Sequence, residues 1–454
     1  METNLTRTDP MHLYDRLMGV VLPAIVGLTP FVISGLLRPD IGQAQFFQAA
    51  TLLVTIGLGL AWLVGWRPFP RRMTFVAVLI ILNIVSVAVS FSSSRDILYS
   101  LKYYLLPLCG YLFFMSLAHH PRRRFVLERI ALVLLPLGGL LALYGILQFF
   151  KIDFYPWLPE VQKNEVIATI GHPNFLASVL GPITFFALGM IFVRRNVRWV
   201  LGGGLLIFLI LGCMLLARTR GVWLGMVVGL VVMFCLLIRY GLKHRVGLRL
   251  VRGLMVGAAL LIISLSVAVF VVLPRVGEVI NFKDRIASTN EIKSRFFYWR
   301  AAVELAMEKR YTGQGYAMFQ PIFWDYTLRQ QQSERGPFYY DFMTAISGAN
   351  PHHVHNEYLE VFSEQGIPGL ALQMALLLFF LYFGYFAIMR QPDPNRALRC
   401  IPIYGAYIMI LIDAIFSFPW RLPVSLIIFM VVLAWLYDEI YPQPQDQQAD
   451  PRAS

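Results

Sequence analysis

Twelve stretches of about 20 mostly apolar residues, the length that crosses the hydrocarbon core of a bilayer, run through this chain of 454 residues. They fall near 17–37, 46–66, 73–91, 97–118, 127–150, 173–193, 197–216, 221–239, 252–273, 367–389, 398–418 and 422–441. In lipid, backbone N–H and C=O groups must be satisfied within the segment, so each run predicts a helix. An all-α integral membrane protein follows. Composition agrees: 57% of the residues are apolar, only 14% are charged, and mean hydropathy is +0.62, values outside the soluble globular range. The first run is expected to be retained rather than cleaved as a signal, since Pro23 and Pro30 interrupt a long span and no small-residue cleavage pattern follows. There is no internal repeat, and the polar tail at 442–454 reads as disordered.

The net charge of +13 does not point to nucleic acid, because excess Lys and Arg in a polytopic protein gather in cytoplasmic loops as topology signals. Connections after even-numbered runs hold eighteen Lys and Arg, among them Arg67, Arg122, Arg194, Arg239 and Arg390. The short connections after odd-numbered runs hold eight: Arg38, Arg95, Lys102, Lys151, Lys163, Arg218, Arg220 and Arg421. Both termini are therefore expected in the cytoplasm, and the long segment 274–356 outside. The expected organisation is nine spans in 1–273, an external loop domain in 274–366, three spans in 367–441 and a cytoplasmic tail in 442–454. Cys109, Cys213, Cys235 and Cys400 lie in or beside apolar runs, so they offer neither a disulfide framework nor a CxxC metal site.

Four polar features, "ATIGHPNFLAS" (168–178), "LARTRGVWLG" (216–225), "SRFFYWR" (294–300) and "HHVHNEYLE" (352–360), all land on the external face. Their agreement points to one site at the outer leaflet. Arg218 and Arg220 sit between two apolar runs with almost no loop to keep them in water, and an arginine at membrane depth costs about 2.5–3.5 kcal/mol on insertion scales. They either snorkel to the headgroups or bind a lipid-borne phosphate, whose oxygens match the planar guanidinium fork.

Within the external segment, "SRFFYWRAAVELAMEKR" reads as an amphipathic helix opened by Arg295, with Phe296, Trp299, Val303 and Ala306 on its apolar face. "YTGQGYAMF" breaks it at Gly313 and Gly315. The stretch 321–350, holding Trp324, Phe338, Tyr339 and Tyr340, reads as irregular and aromatic. The histidines His352, His353 and His355 admit three readings: a zinc site, a catalytic base, or a solvated loop. His352 and His355 supply two ligands at most, with neither a cysteine nor an HExxH pattern beside them. A neutral imidazole, with a pKa ordinarily about 6.5, is suited to accept a proton from a hydroxyl. His355 also precedes an apparent helix, "NEYLEVFSEQG", which ends at Gly366 and leads through "IPGL" into the tenth span.

Taken together, "RTRGVW", the "SRxxxW" opening of the external helix, "TGQGYAMF" and "HVHNEYLEVFSEQGIPGL" resemble the bacterial O-antigen ligase and polymerase family over about 165–370. "GHPNFLAS" resembles a further family element. The resemblance implies a twelve-helix, GT-C-type inner-membrane glycosyltransferase with its active site in the periplasm. It implies an undecaprenyl-diphosphate-linked glycan as donor, and lipid A-core or a growing glycan as acceptor, with neither metal nor cofactor. By it, Arg220 and Arg295 hold the diphosphate and stabilise its charge as it departs, and His355 is the base that activates the acceptor hydroxyl. Arg218, His172, Asn174, His352 and Asn356 form a second tier of substrate-binding candidates. Ligation to lipid A-core leads; polymerisation, protein O-glycosylation and non-enzymatic transport of a lipid-linked glycan remain open. One departure from the pattern is the doubled His352–His353, which leaves the helper histidine unassigned.

Overall fold

Eleven of the twelve apolar runs are helices in the computed structural model, which describes residues 10–33, 38–63, 74–155, 166–194, 196–244, 289–332 and 351–443. The run at 252–273 and the tail from 444 lie outside the described residues, as does 333–350. Every regular element among the described residues is helical: α1 (Pro10–Leu28), α2 (Pro39–Leu63), α3 (Phe75–Ser90), α4 (Ile97–Ala118), α5 (Arg123–Phe149), α6 (Pro173–Arg194), α7 (Val197–Ala217), α8 (Arg220–His244), α9 (Thr289–Glu308), α10 (Phe319–Gln331), α11 (Glu357–Arg390), α12 (Pro394–Asp413) and α13 (Pro423–Ile440), with short 3₁₀ turns between some of them. Nine of the described helices are long and apolar enough to cross a membrane, which makes this a multi-pass membrane protein.

A helix that is apolar on every side must be enclosed by others, and α13 is: Val424 to Tyr437 is buried throughout, packed on α4, α11 and α12. Helices α8 and α12 approach each other closely. Gly221, Gly225 and Gly229 recur every fourth residue on α8, and a Cβ at Gly225 would stand 2.7 Å from the Met409 carbonyl oxygen, one at Gly229 2.6 Å from that of Gly405. Small residues at this spacing let two backbones touch, the usual basis of helix association in lipid.

The helix ends sort into two sets. At one end, Arg123 pairs with Asp438, Arg399 with Glu128, and Arg396 with Glu439 at 3.4 Å, while Lys243 Nζ donates to the Met389 carbonyl at 2.8 Å. Several arginines expected as topology signals are thus also ion-paired. At the other end lie the starts of α6, α8 and α11 and the finish of α12, and against them packs a small layer of α9 and α10.

This layer corrects two expectations in part. The buried face of α9 is Phe297, Tyr298, Ala301, Ala302, Leu305 and Ala306, with Trp299 partly buried, whereas Phe296 and Val303 are 62% and 39% exposed. Of the expected stripe 296/299/303/306, Ala306 is buried and Trp299 partly so, while the buried face turns toward Phe297, Tyr298, Ala301 and Ala302 in place of Phe296 and Val303. The described part of the stretch 321–350, expected to be irregular, is instead helical to Gln331, within α10; the one residue hostile to a helix there, Pro321, falls in the first turn, where its missing N–H has no intrahelical partner to lose.

The "TGQG" and "SEQG" motifs, about 50 residues apart in the chain, clasp each other. Gln314 N donates to the Ser363 carbonyl (2.9 Å), Gly315 N to that of Glu364 (3.1 Å), and Ile367 N to that of Arg310 (2.8 Å). This needs glycine at 313, 315 and 366, all at positive φ (66°, 106° and 69°). Gly366 also interrupts α11 at the position where the sequence places its break, separating a first stretch, 357–365, from the apolar remainder.

Candidate active site

The segment 351–356 crosses the site end of the bundle before α11 begins. Asn356 caps that helix, its Oδ1 accepting from Leu359 N at 3.0 Å. His355, just before the cap, has φ of 58°, a left-handed conformation that costs a non-glycine residue about 1 kcal/mol. Three contacts hold it: its carbonyl accepts from Trp299 Nε1 (3.4 Å), and its ring lies parallel to Tyr298 and edge-on to Phe418, with centroids 6.3 and 5.2 Å away. Burial pushes the imidazole pKa down, assisted by the Arg295 guanidinium and by His353 and His172, and opposed by Glu360; the result is about 3. The ring is therefore neutral at ordinary pH, with Arg295 its strongest electrostatic partner.

Arg295, near the start of α9, is partly exposed and acts on Asp413 as well as on His355. Asp413 closes α12. It is 1% exposed and accepts from Ser178 Oγ at 2.6 Å, which ties α12 to α6. At the head of α6, His172 is exposed beside Phe175, its Nδ1 accepting from the Asn174 backbone N–H at 3.2 Å. Phe175 meets Phe418 at 5.3 Å and so reaches the wall of His355.

Arg220 is exposed at the first residue of α8, beside the Gly221 contact with Phe416, where a Cβ would be 2.9 Å from the Phe416 Cβ. Phe416 in turn lies 6.3 Å from Trp299 by ring centroid. Arg218 is the left-handed C-cap of α7, φ 57°, so the "RTR" turn reverses the chain within three residues. His355, Arg295, Arg220, His172 and Asn174 thus share one end of the protein and are linked through Phe416, Phe418 and the aromatic face of α9. His352 points away from them: it is exposed, donates from Nδ1 to Gln320 Oε1 on α10 (2.8 Å), and sits near Arg38 and Asp40, with its pKa lowered by burial and then by Arg38.

Beneath this surface lies a buried ionic cluster that sequence reading missed. Glu357, Glu360 and Glu364, at i, i+3 and i+7 on the first stretch of α11, converge on Arg421 from the turn before α13. Arg421 Nε lies 3.3 Å from Glu357 and 3.2 Å from Glu360, and Nη2 lies 2.7 Å from Glu364. Trp420 N donates to Glu357 Oε1 at 2.9 Å. Glu360 also accepts from His353 Nδ1 (2.7 Å) and from Val354 N (3.0 Å), and the His353 ring stacks on Phe418 at 4.1 Å. Three carboxylates at helical spacing in an otherwise apolar chain were the available signal; Arg421 had been counted only as a loop charge.

Among the described residues no three His, Cys, Asp or Glu side chains are grouped to hold a metal ion. The geometry brings together, at one end of the bundle, a neutral histidine, two arginines and an aromatic wall. That combination can bind an anion and accept a proton.

One comparison with known protein families bears on the class. The O-antigen ligase family model matches residues 204–374, a stretch that runs from within α7 into α11 and includes Arg220, Arg295 and His355. No curated protein matches the chain.

Proposed function

Because residues 204–374 resemble the O-antigen ligase family, we propose that this protein is a glycosyltransferase. It moves a glycan from an undecaprenyl-diphosphate carrier to an acceptor hydroxyl at the periplasmic face of the bacterial inner membrane, and the leading acceptor is lipid A-core. Both termini then lie in the cytoplasm.

His355 takes the proton of the acceptor hydroxyl; the oxygen forms a bond to the anomeric carbon as the bond from that carbon to the diphosphate breaks. The polyprenyl diphosphate leaves with the bonding pair, and the configuration inverts. Arg220 and Arg295 carry the charge that grows on the departing diphosphate, which is already a good leaving group, so no separate acid or metal is required. The observation that carries this reading is the pairing of a neutral, partly buried His355 with Arg295 in one electrostatic site. An arriving diphosphate offsets the Arg295 charge and so raises the proton affinity of His355 when a base is needed.

Purified protein supplied with a polyprenyl-diphosphate-linked oligosaccharide and lipid A-core tests it. Glycan joined to lipid A-core supports ligation, lengthened lipid-linked glycan supports polymerisation, and exchange across a bilayer without any new glycosidic bond would defeat the enzymatic reading.

A further inference from the structure

His353 and His355 flank a single residue, Val354, yet only His353 is tied to the buried cluster. One Glu360 oxygen receives His353 Nδ1 at 2.7 Å, and the other receives the Val354 N–H at 3.0 Å. Glu360 is 1% exposed, and Arg421 stands 3.2 Å from the same oxygen that holds His353. One carboxylate therefore holds the two residues that precede His355, while the Asn356 cap holds the one that follows. The pair also sets a wall of the His355 niche: with Nδ1 engaged, the His353 ring is turned flat onto Phe418, and Phe418 stands T-shaped against the His355 ring.

We propose that Glu360 is a positioning residue for His355: anchored by Arg421, its carboxylate seats His353 and Val354 and so holds the His355 backbone at positive φ with its ring between Tyr298 and Phe418. His353 is then the helper of the doubled pair, while His352 faces α10. A carboxylate that fixes a neighbouring imidazole through Nδ1–H is a familiar way to orient a working group. This rests on His355 as the base.

The test is a double-mutant cycle on transfer from a polyprenyl-diphosphate-linked oligosaccharide to lipid A-core. Glu360→Gln keeps size but removes one acceptor oxygen; kcat is expected to fall roughly 10–100-fold, as a displaced catalytic group does, with the donor KM little changed. In a His355→Ala background the same substitution is expected to cost less than about 3-fold, since a residue that acts through His355 has nothing left to act on. An equal loss in both backgrounds, or near-full activity of Glu360→Gln, overturns the proposal. If His355→Ala itself is fully active, the base reading has failed, and the positioning role with it; an inactive His355→Ala with additive Glu360→Gln loss is the failure of positioning alone. Should Glu360→Gln not accumulate, His353→Ala, which spares the Glu360–Arg421 contact, runs the same cycle with the same two outcomes. His353→Asn, which keeps an N–H near the Nδ1 position, is then expected to recover much of what alanine loses, and equal damage from Asn and Ala counts against positioning.

Discussion

Gly313 lies so close to Glu364 that a Cβ on it would stand 2.2 Å from the Glu364 carbonyl carbon. The clasp between the two loop motifs depends on that proximity, and with φ at 66° the position is strained for any other residue. Gly313→Ala is therefore expected to lower the yield of monodisperse protein in detergent and its thermal midpoint, with activity lost in proportion. Gly57→Ala, where a Cβ meets nothing within 4 Å, is the control. Equal stability of the two variants would show that the clasp can yield.

Arg421 is expected to matter more to folding than any other cation at this end. Replacing it with leucine leaves three buried carboxylates facing one another, and removing one partner of a buried pair costs about 3–5 kcal/mol. Arg421→Leu should be scarce in membranes. Arg421→Lys, a point charge without the fork that reaches all three glutamates, should fall between. Membrane abundance by immunoblot, followed by thermal unfolding in detergent, ranks the three proteins.

For Arg220, exposure at the head of α8 argues the opposite balance. Arg220→Lys should be made at normal levels and transfer glycan poorly, because a lysine keeps the charge but not the bidentate geometry for phosphate. Arg295→Ala should behave likewise. Near-full transfer by Arg220→Lys would return Arg220 to a snorkelling role.

His355 yields a pH signature. Its pKa, held down to about 3 in the empty site, means that the ring stays neutral as pH falls through 6.5, so kcat/KM should show no acid limb near that value. Arg295 is one cause of the depression, so Arg295→Ala should move the limb upward. Bound diphosphate works in the same direction, and the acid limb of kcat, which reports the loaded enzyme, should lie above that of kcat/KM. His355→Ala should cost roughly 10²–10⁴-fold in rate. If chelators abolish wild-type activity and added metal restores it, His355 is a ligand and not the base.

Topology is open to direct labelling. With Cys235 replaced, a cysteine at the exposed Ser92 should react with a membrane-impermeant reagent from the periplasm, and one at the exposed Asn395 should not. The reverse pattern would invert the membrane orientation and move the site to the cytoplasm.

Sequence alone carries what is local. Run length marks the spans, and the positive-φ glycines mark the turn at 313–315 and the break at 366. The four polar motifs could be grouped because alternate loops share a face. What stayed hidden depends on partners distant in the chain: Arg421 meets Glu364 across 57 positions, and Ser178 meets Asp413 across 235. No periodicity reports such pairs. The exposure of Phe296 and Val303 on α9 has a similar origin, since neighbouring apolar stripes exist on that helix and tertiary packing selects between them.

The glycine row on α8 has a mechanical consequence. With Gly225 and Gly229 seated against carbonyl oxygens of α12, a side chain at either position would be driven into backbone, so the two helices keep their separation only while these positions stay bare. Arg220, at the tip of one, and Asp413, at the tip of the other, therefore stand at one end of a closely fitted pair. On the proposed function, the two helices act as a depth gauge: Arg220 stays at the height of their closely fitted end, and the carrier's diphosphate is expected to come to it rather than the reverse.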